Sequence, residues 1–412
     1  MPPGDELAET IRIEGAALLA TLVRTVRDLS IAEEAVQEAA IAALTEWPQS
    51  GVPDHPRAWL TTTARRKAID LVRRERARSG KEQAGVQLMD LSRPDEPPDT
   101  VVRDDMLRLI FTCCHPALAP ESRVALALRT LCQLSVPQVA AVMLTSEAAA
   151  TKRLTRARQK IATAQIPYRV PPDAELPGRL AAVCGVVHGL YTSGHAPLGG
   201  DEVLDIDLCS EGLRLARLLH HLLPDEPMPM AVLALMLLTE ARRPARTDPA
   251  GDIVLLAHQD RNLWDGNLIA EGLRLLDQSL RRTAGVADPY QLQAAIAAEH
   301  ARAASYSDTD WAEIVRLYDL LLTVAPSAPA ALSRAVAIAE QDGAEAGLAA
   351  LDGLPAGPRL AAIRGELLAR LGRYAEAVAA AEQSLDGEIT APERRYREHR
   401  LAEWRSLASR SP

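Results

Sequence analysis

Aromatic residues are nearly missing: they make up 3% of 412 residues, and Phe occurs once. Sheets draw heavily on aromatic and β-branched side chains, whereas the apolar content here, 48%, is dominated by Ala and Leu, which suit close helix packing. The expected fold class is all-α. Cysteine is sparse and poorly placed for chemistry. Cys113, Cys114, Cys132, Cys184 and Cys209 form an odd set with no CxxC pair, which argues against a disulfide framework or a zinc site and predicts reduced, buried thiols. Long apolar runs are absent too. No stretch reaches the roughly 18 charge-free residues of a membrane span, and the opening has no basic segment followed by an apolar one. A cytoplasmic location without a membrane partner is expected. Positive charge is in deficit, the formal net charge being −9, so a concentrated basic segment stands out. The length leaves room for two or three domains, each with its own core.

What is present falls into segments. Residues 1–80 read as helical, interrupted by the turn-rich "WPQSGVPDHP" between Trp47 and Pro56. Residues 81–103 are polar, rich in Pro and acidic near their end, and read as a linker. Helical periodicity resumes at residue 104 and runs to about 170, where "IPYRVPPDAELP" cannot be absorbed into a helix interior. From 178 to 412 the pattern is again helical. It includes "AIRGELLARLGRYAEAVAAAEQSL", in which Gly365, Ala369, Ala377 and Ala381 permit the close contact of a tetratricopeptide-like hairpin. The preceding segment looks like a degenerate set of the same hairpins.

Two basic segments carry the candidate chemistry. In "AWLTTTARRKAIDLVRRERAR" a helical wheel puts Leu60, Ala64, Ala68, Leu71 and Val72 on one face and Thr62, Arg66 and Arg73 opposite, flanked by Arg65, Lys67 and Arg74. Such a face is either solvated surface or a phosphate- and base-reading surface. Its segregated charge and its excess of Arg over Lys favour the second. In "LSVPQVAAVMLTSEAAATKRLTRARQKI" the pattern is helix, short turn, helix, with N-caps at Ser135 and at Thr145 or Ser146. Ala150, Leu154, Ala157 and Ile161 form a stripe to be buried. Lys152, Thr155, Arg156 and Gln159 face out, with Arg153 and Arg158 at the margins. The layout fits a recognition helix and equally a generic helical hairpin.

The order "DLSIAEEAVQEAAIAAL", "HPRAWLTTTARRKAIDLVRRERAR", linker, "PESRVALALRTLCQLSVPQVAAVMLTSEAAATKRLTRARQKI" resembles bacterial extracytoplasmic-function sigma factors over about the first 170 residues. The later stretches "LRLIFTCCHPALAP", "LLPDEPMPMAVLALMLLTEARRPARTD", "LLAHQDRNLWDGNLIAEGLRLL" and "DPYQLQAAIAAEHARA" resemble the helical extension of one sigma subgroup. Two departures are visible: "HGLYTSGHAPLGG" stands where an aromatic-rich segment is usual, and "AAAT" stands where many sigma factors have a Thr-Val pair. The resemblance implies two small helical sigma domains, the second a helix-turn-helix, and a transcription initiation factor that binds core RNA polymerase and directs it to promoters. It implies polymerase contact through Asp28, Glu34, Gln37 and Glu38. It implies minus-ten DNA contact through Thr62, Arg65, Arg66, Lys67, Arg73 and Arg74, and minus-thirty-five contact through Lys152, Arg153, Thr155, Arg156, Arg158 and Gln159. Trp47 and the loop beside it resemble the region that holds an unstacked promoter base. The extension is expected to regulate, through hairpins suited to a protein partner.

Rival readings rest on less. "GGDEV" at 199–203 resembles a nucleotide-cyclase signature, but no strand pattern flanks it. "CCH" at 113–115 offers adjacent thiols that cannot readily share one tetrahedral ion. No metal, cofactor or enzymatic activity is expected. His258, Gln259, Asp260, Arg261, Asn262 and Trp264 read as a ligand pocket or, better, as a polar cluster that fixes helix packing. A DNA-binding repeat scaffold acting without polymerase is the remaining alternative, against which the clamp-like "AEEAVQEA" argues.

Overall fold

A computed structural model describes residues 3–79, 99–143, 145–197, 199–387 and 389–410. Among these the architecture is all-α: no β-strand forms, and one isolated bridge joins Thr247 to Ile253. The chain divides into two compact units, Met1–Val186 and Val187–Pro412.

The first unit begins with α1 (Pro3–Val26), α2 (Leu29–Ser50) and α3 (Pro56–Ser79). Asp28 starts α2 by accepting from the backbone N–H groups of Ser30 and Ile31 at 2.8 and 3.1 Å, satisfying donors that a helix start leaves orphaned. The facing stripes of α2 and α3 are built from alanine: Ala32, Ala35, Ala39, Ala43, Ala64 and Ala68 have no exposed surface. Small side chains at i, i+4 spacing bring the two helix backbones close. Leu19, Leu22 and Val23 of α1 close this core. The turn expected from Trp47 onward starts later, because α2 continues through Pro48 to Ser50 and ends where Gly51, at φ 84°, returns its N–H to the Trp47 carbonyl at 3.0 Å.

The second half of this unit contains α4 (Asp99–Cys113), α5 (Pro120–Leu126), a π-helical turn (Ala127–Leu131), α6 (Val136–Val142) and α7 (Glu147–Thr163). Helix resumes at Asp99, earlier than periodicity suggested, so 99–103 of the expected linker are helical and the linker's 81–98 lie outside the described residues. Ser135 and Gln138 form a reciprocal capping box at the start of α6. At the start of α7 the cap is Ser146, whose Oγ accepts from Ala149 N–H at 3.2 Å. The two halves pack as one body. Gly15 of α1 makes room for the Gln133 side chain: a Cβ there would lie 3.1 Å from Gln133 Cδ. Asp105, fully buried on α4, receives Arg24 at 2.9 Å and Arg108 at 3.0 Å, and Tyr168 Oη donates to the Ala20 carbonyl at 2.7 Å.

Helix α8 (Leu176–His195) runs across the boundary into the second unit, where α9 (Ile206–Leu222), α10 (Pro227–Glu240), α11 (Gly266–Arg282) and α12 (Pro289–Arg302) follow. Helix α10 is apolar all round, with Met230, Ala231, Val232, Leu233, Ala234, Met236 and Leu237 buried, and is the centre of this unit. Helix α11 approaches it at Gly272, where an added Cβ would lie 2.8 Å from Leu238 Cγ. Six helices, each packed on its neighbour in sequence, then follow: α13 (Trp311–Val324), α14 (Ala328–Asp342), α15 (Ala344–Ala350), α16 (Pro358–Arg370), α17 (Tyr374–Ser384) and α18 (Ala391–Ala408). Between α16 and α17 the chain turns at Gly372, φ 73°. Ala377 and Ala381 are buried, and Gly365 lies against Trp404, whose Cζ3 would be 3.0 Å from a Cβ. All five cysteines are free and buried, as their number and spacing imply. "GGDEV" lies in bends between α8 and α9, outside any hairpin of strands.

Candidate nucleic-acid and polymerase interface

The site is assembled from three helices whose buried stripes dictate which side chains face out. On α3, Leu60, Ala64, Ala68 and Leu71 are buried and Val72 is half-buried, which leaves Thr62, Arg66, Arg73 and Arg74 exposed. Arg66 and Arg73 have no side-chain partner among the described residues. Lys67 and Arg74 behave differently: they lie 3.4 and 3.9 Å from the Glu38 carboxylate, so part of the α3 charge is answered from within the domain. Arg65 is half-buried.

On α2 the expected polymerase-facing residues separate into three environments. Glu34 and Gln37 are exposed, and the same helical face continues through Ile41, 63% exposed, and Leu44, 56% exposed. Spacing of 34, 37, 41 and 44 is that of a single stripe. Two large aliphatic side chains held in water beside a carboxylate and an amide make a surface suited to a protein partner. Glu38 instead turns toward α3, and the Asp28 carboxylate is occupied as the N-cap of α2. Trp47 is a correction: it is 1% exposed, packed edge-on against Trp59 at 5.6 Å, and so cannot serve as an open platform for an unstacked base.

On α7, Ala150, Leu154 and Ala157 are buried and Ile161 is half-buried. Lys152, Thr155, Arg156 and Gln159 are exposed together on the opposite side. Thr155 Oγ1 donates to the Thr151 carbonyl at 2.9 Å, which leaves its oxygen free to accept from a further donor. Arg153 is half-buried, with Nη1 3.9 Å from Met143 Sδ. Arg158 points inward, 2.5 Å from Glu33. Sequence reasoning passed over Glu33, although a carboxylate two residues from the buried Ala35 and beside Ala32 had to find a partner. That partner sits more than a hundred residues away.

Four cationic or hydrogen-bonding side chains on α7 and four on α3 thus stand on exposed helix faces, an arrangement able to hold phosphates and reach base edges. Among the described residues no cluster of His, Cys, Asp or Glu could hold a metal ion, and no helix is long and apolar enough to cross a membrane.

Residues 11–78 match the family described as Sigma-70 region 2, residues 108–161 that described as Sigma-70, region 4, and residues 179–280 a family of unknown function, DUF6596. Over 390 residues the chain is 42% identical to "Uncharacterized protein R00370" of Rhizobium meliloti (strain 1021), a match covering 92% of this chain and 91% of that protein. It is 30% identical over 182 residues to "Probable ECF RNA polymerase sigma factor SigI" of Mycobacterium tuberculosis, in both strain CDC 1551 / Oshkosh and strain ATCC 25618 / H37Rv. That match covers 42% of this chain and 60% of the relative. No solved structure matches significantly.

Proposed function

We propose that this chain, which belongs to one family with the Rhizobium meliloti protein and carries sigma-70 regions 2 and 4 ahead of a DUF6596 domain, initiates transcription by binding core RNA polymerase and directing it to particular promoters. The observation that carries the polymerase part is the open face of α2. A DNA-binding scaffold working alone has no use for Ile41 and Leu44 held in solvent beside Glu34 and Gln37. Such a mixed acidic and apolar stripe suits a basic, partly apolar partner surface, and clamp-like helices of the polymerase offer one. DNA contact falls to Thr62, Arg66, Arg73 and Arg74 on α3 and to Lys152, Thr155, Arg156 and Gln159 on α7. With Trp47 buried, strand opening depends on the polymerase rather than on base capture by that ring.

Residues 178–412 act, in this reading, as a fused helical regulator with tetratricopeptide-like hairpins, as in a subgroup of extracytoplasmic-function sigma factors. Hairpins stacked in sequence from α13 to α18 support it, since such arrays present long surfaces to proteins. The test is reconstitution: purified chain, core polymerase and fragmented genomic DNA should yield transcripts from defined start points, and the chain should co-purify with core polymerase. Absence of both sinks the reading. Transcription unchanged in a chain ending near Arg169 removes the regulatory role alone.

A further inference from the structure

Residues that follow α10 gather an excess of positive charge. Arg242 stands just past the end of that helix, and the backbone bond from Asp265 N–H to the Ala241 carbonyl, 2.9 Å, draws the 261–265 segment alongside it. Both Arg242 and Arg261 lie against the Trp264 ring, their guanidinium carbons 5.7 and 4.5 Å from its centre. Arg246 lies close by, held on the His195 ring and carbonyl at 2.9 and 2.8 Å. Carboxylates do not balance this. Glu240 is already engaged by Arg243 at 2.7 Å and by Tyr191 at 3.1 Å, and Asp308 accepts from Ser305 at 2.6 Å.

The unmet hydrogen-bonding capacity here is mostly of one kind. Arg242 Nε, Arg261 Nη2 and Trp264 Nε1 are all buried and have no partner among the described residues, and each can only donate. His300 Nδ1 is buried without a partner as well. Trp264 is 8% exposed, whereas Arg242 is half-buried and so keeps a path to solvent. Arg261 has a structural duty besides, since its Nη1 donates to the carbonyls of His300 and Ala303, both at 2.6 Å, at the end of α12. Arg242 has none: no hydrogen bond or ion pair from its side chain forms among the described residues. Burial and Arg246 pull its pKa down to about 10, so at neutral pH it keeps its charge at a cost, and burial with Arg242 and Arg261 pulls His300 down to about 4, so that ring stays neutral. An unpaired buried cation and orphaned donors are costly. Packing alone does not explain why an arginine stands there, because a neutral side chain of similar length would stack on Trp264 without the repulsion.

We propose that Arg242, Arg261, Trp264 and His300 form a binding site for a small oxyanion, a phosphate or carboxylate group borne by a small molecule, where the DUF6596 match meets the helix α12 that follows it. An oxyanion supplies the negative charge the cluster lacks and only accepts hydrogen bonds, matching three donor-only groups. Arg261 already stacks on Trp264, so the site recognises the charged group of its ligand.

The test is a thermal-unfolding titration of the full chain with inorganic phosphate and, separately, with acetate and succinate, against sodium chloride at matched ionic strength. A midpoint that rises and saturates with one oxyanion but not with chloride is expected, and the better of phosphate and the carboxylates identifies the source. Arg242→Gln should weaken that response roughly 10-fold or more, as loss of a charge-assisted contact implies. Without added anion the same variant should unfold no earlier than the parent, because it relieves the repulsion with Arg246 and Arg261. No oxyanion-specific shift in the parent overturns the proposal. So does an Arg242→Gln chain that is destabilised yet responds to phosphate as the parent does, which marks Arg242 as packing only.

Discussion

The Glu33 carboxylate on α2 lies 2.5 Å from Arg158 Nη2 on α7, and the same carboxylate accepts from Thr130 Oγ1 at 3.0 Å. The stretch that matches region 2 and helix α7 of the stretch that matches region 4 are therefore joined by a nearly buried ion pair, Glu33 being 8% exposed. Arg158→Ala removes one partner and leaves a buried carboxylate with a single neutral donor. A loss of about 1–3 kcal/mol in denaturant unfolding is expected. Arg156→Ala, two residues earlier on the exposed side, should change stability by less than about 0.5 kcal/mol. Equal losses for both would show that the helix is not oriented this way.

On α3 the same contrast separates base reading from structure. Arg66→Ala and Arg73→Ala should each weaken promoter binding by about 1–3 kcal/mol if a bidentate base contact is lost, with an unchanged unfolding midpoint. Should either arginine hold a phosphate instead, binding weakens alike on all sequences and the dependence on salt becomes shallower. Lys67→Ala should also loosen the hold on Glu38, which it meets at 3.4 Å. Gel-shift assays over a salt series, paired with melting curves, distinguish these outcomes.

Ile41→Asp and Leu44→Asp on α2 are expected to leave helicity and melting temperature unaltered, because both side chains are mostly in water already. Binding to core polymerase, measured by co-sedimentation, should fall for each and for Glu34→Lys. Full binding by the Ile41→Asp, Leu44→Asp double variant would move the polymerase surface elsewhere.

Acid should destabilise the second unit ahead of general carboxylate protonation. Burial, then Arg246, Arg242 and His188, hold His195 down at about 3, and burial with Arg242 and Arg261 holds His300 at about 4. Unfolded histidines protonate near pH 6.5 while these stay neutral in the folded chain. The unfolded state thus binds more protons below 6.5, and stability present above that pH declines as pH falls toward 4. Unfolding midpoints measured between pH 7 and 4 should drop, and His300→Asn should flatten the slope. A flat profile in the parent would place both rings in water.

Helix positions and faces were legible because they depend on neighbours in the chain: the Ala64, Ala68 and Leu71 spacing, the Ser135 capping box and the apolar run of α10 each act within a few residues. Such local rules also carried the all-α class and the exposed sides of α3 and α7. The rest was decided by pairs distant in sequence. Periodicity ended the helix at Trp47 on the strength of Pro48, but α2 runs on to Ser50 and folds the indole against Trp59, so tertiary packing overrode a local break and closed the expected base platform. The pairing of Arg158 with Glu33, and of Glu38 with Lys67, follows only once α7 and α3 have packed on α2 and shows in no local pattern. The stretch from His258 to Trp264 read best as packing because Arg242, which lies over Trp264, and His300, whose carbonyl Arg261 meets, stand on other elements. A charge in isolation does not say whether its counter-charge will be another part of the chain, a nucleic acid or a small anion; that follows only when the helices pack and the burial of each group is settled.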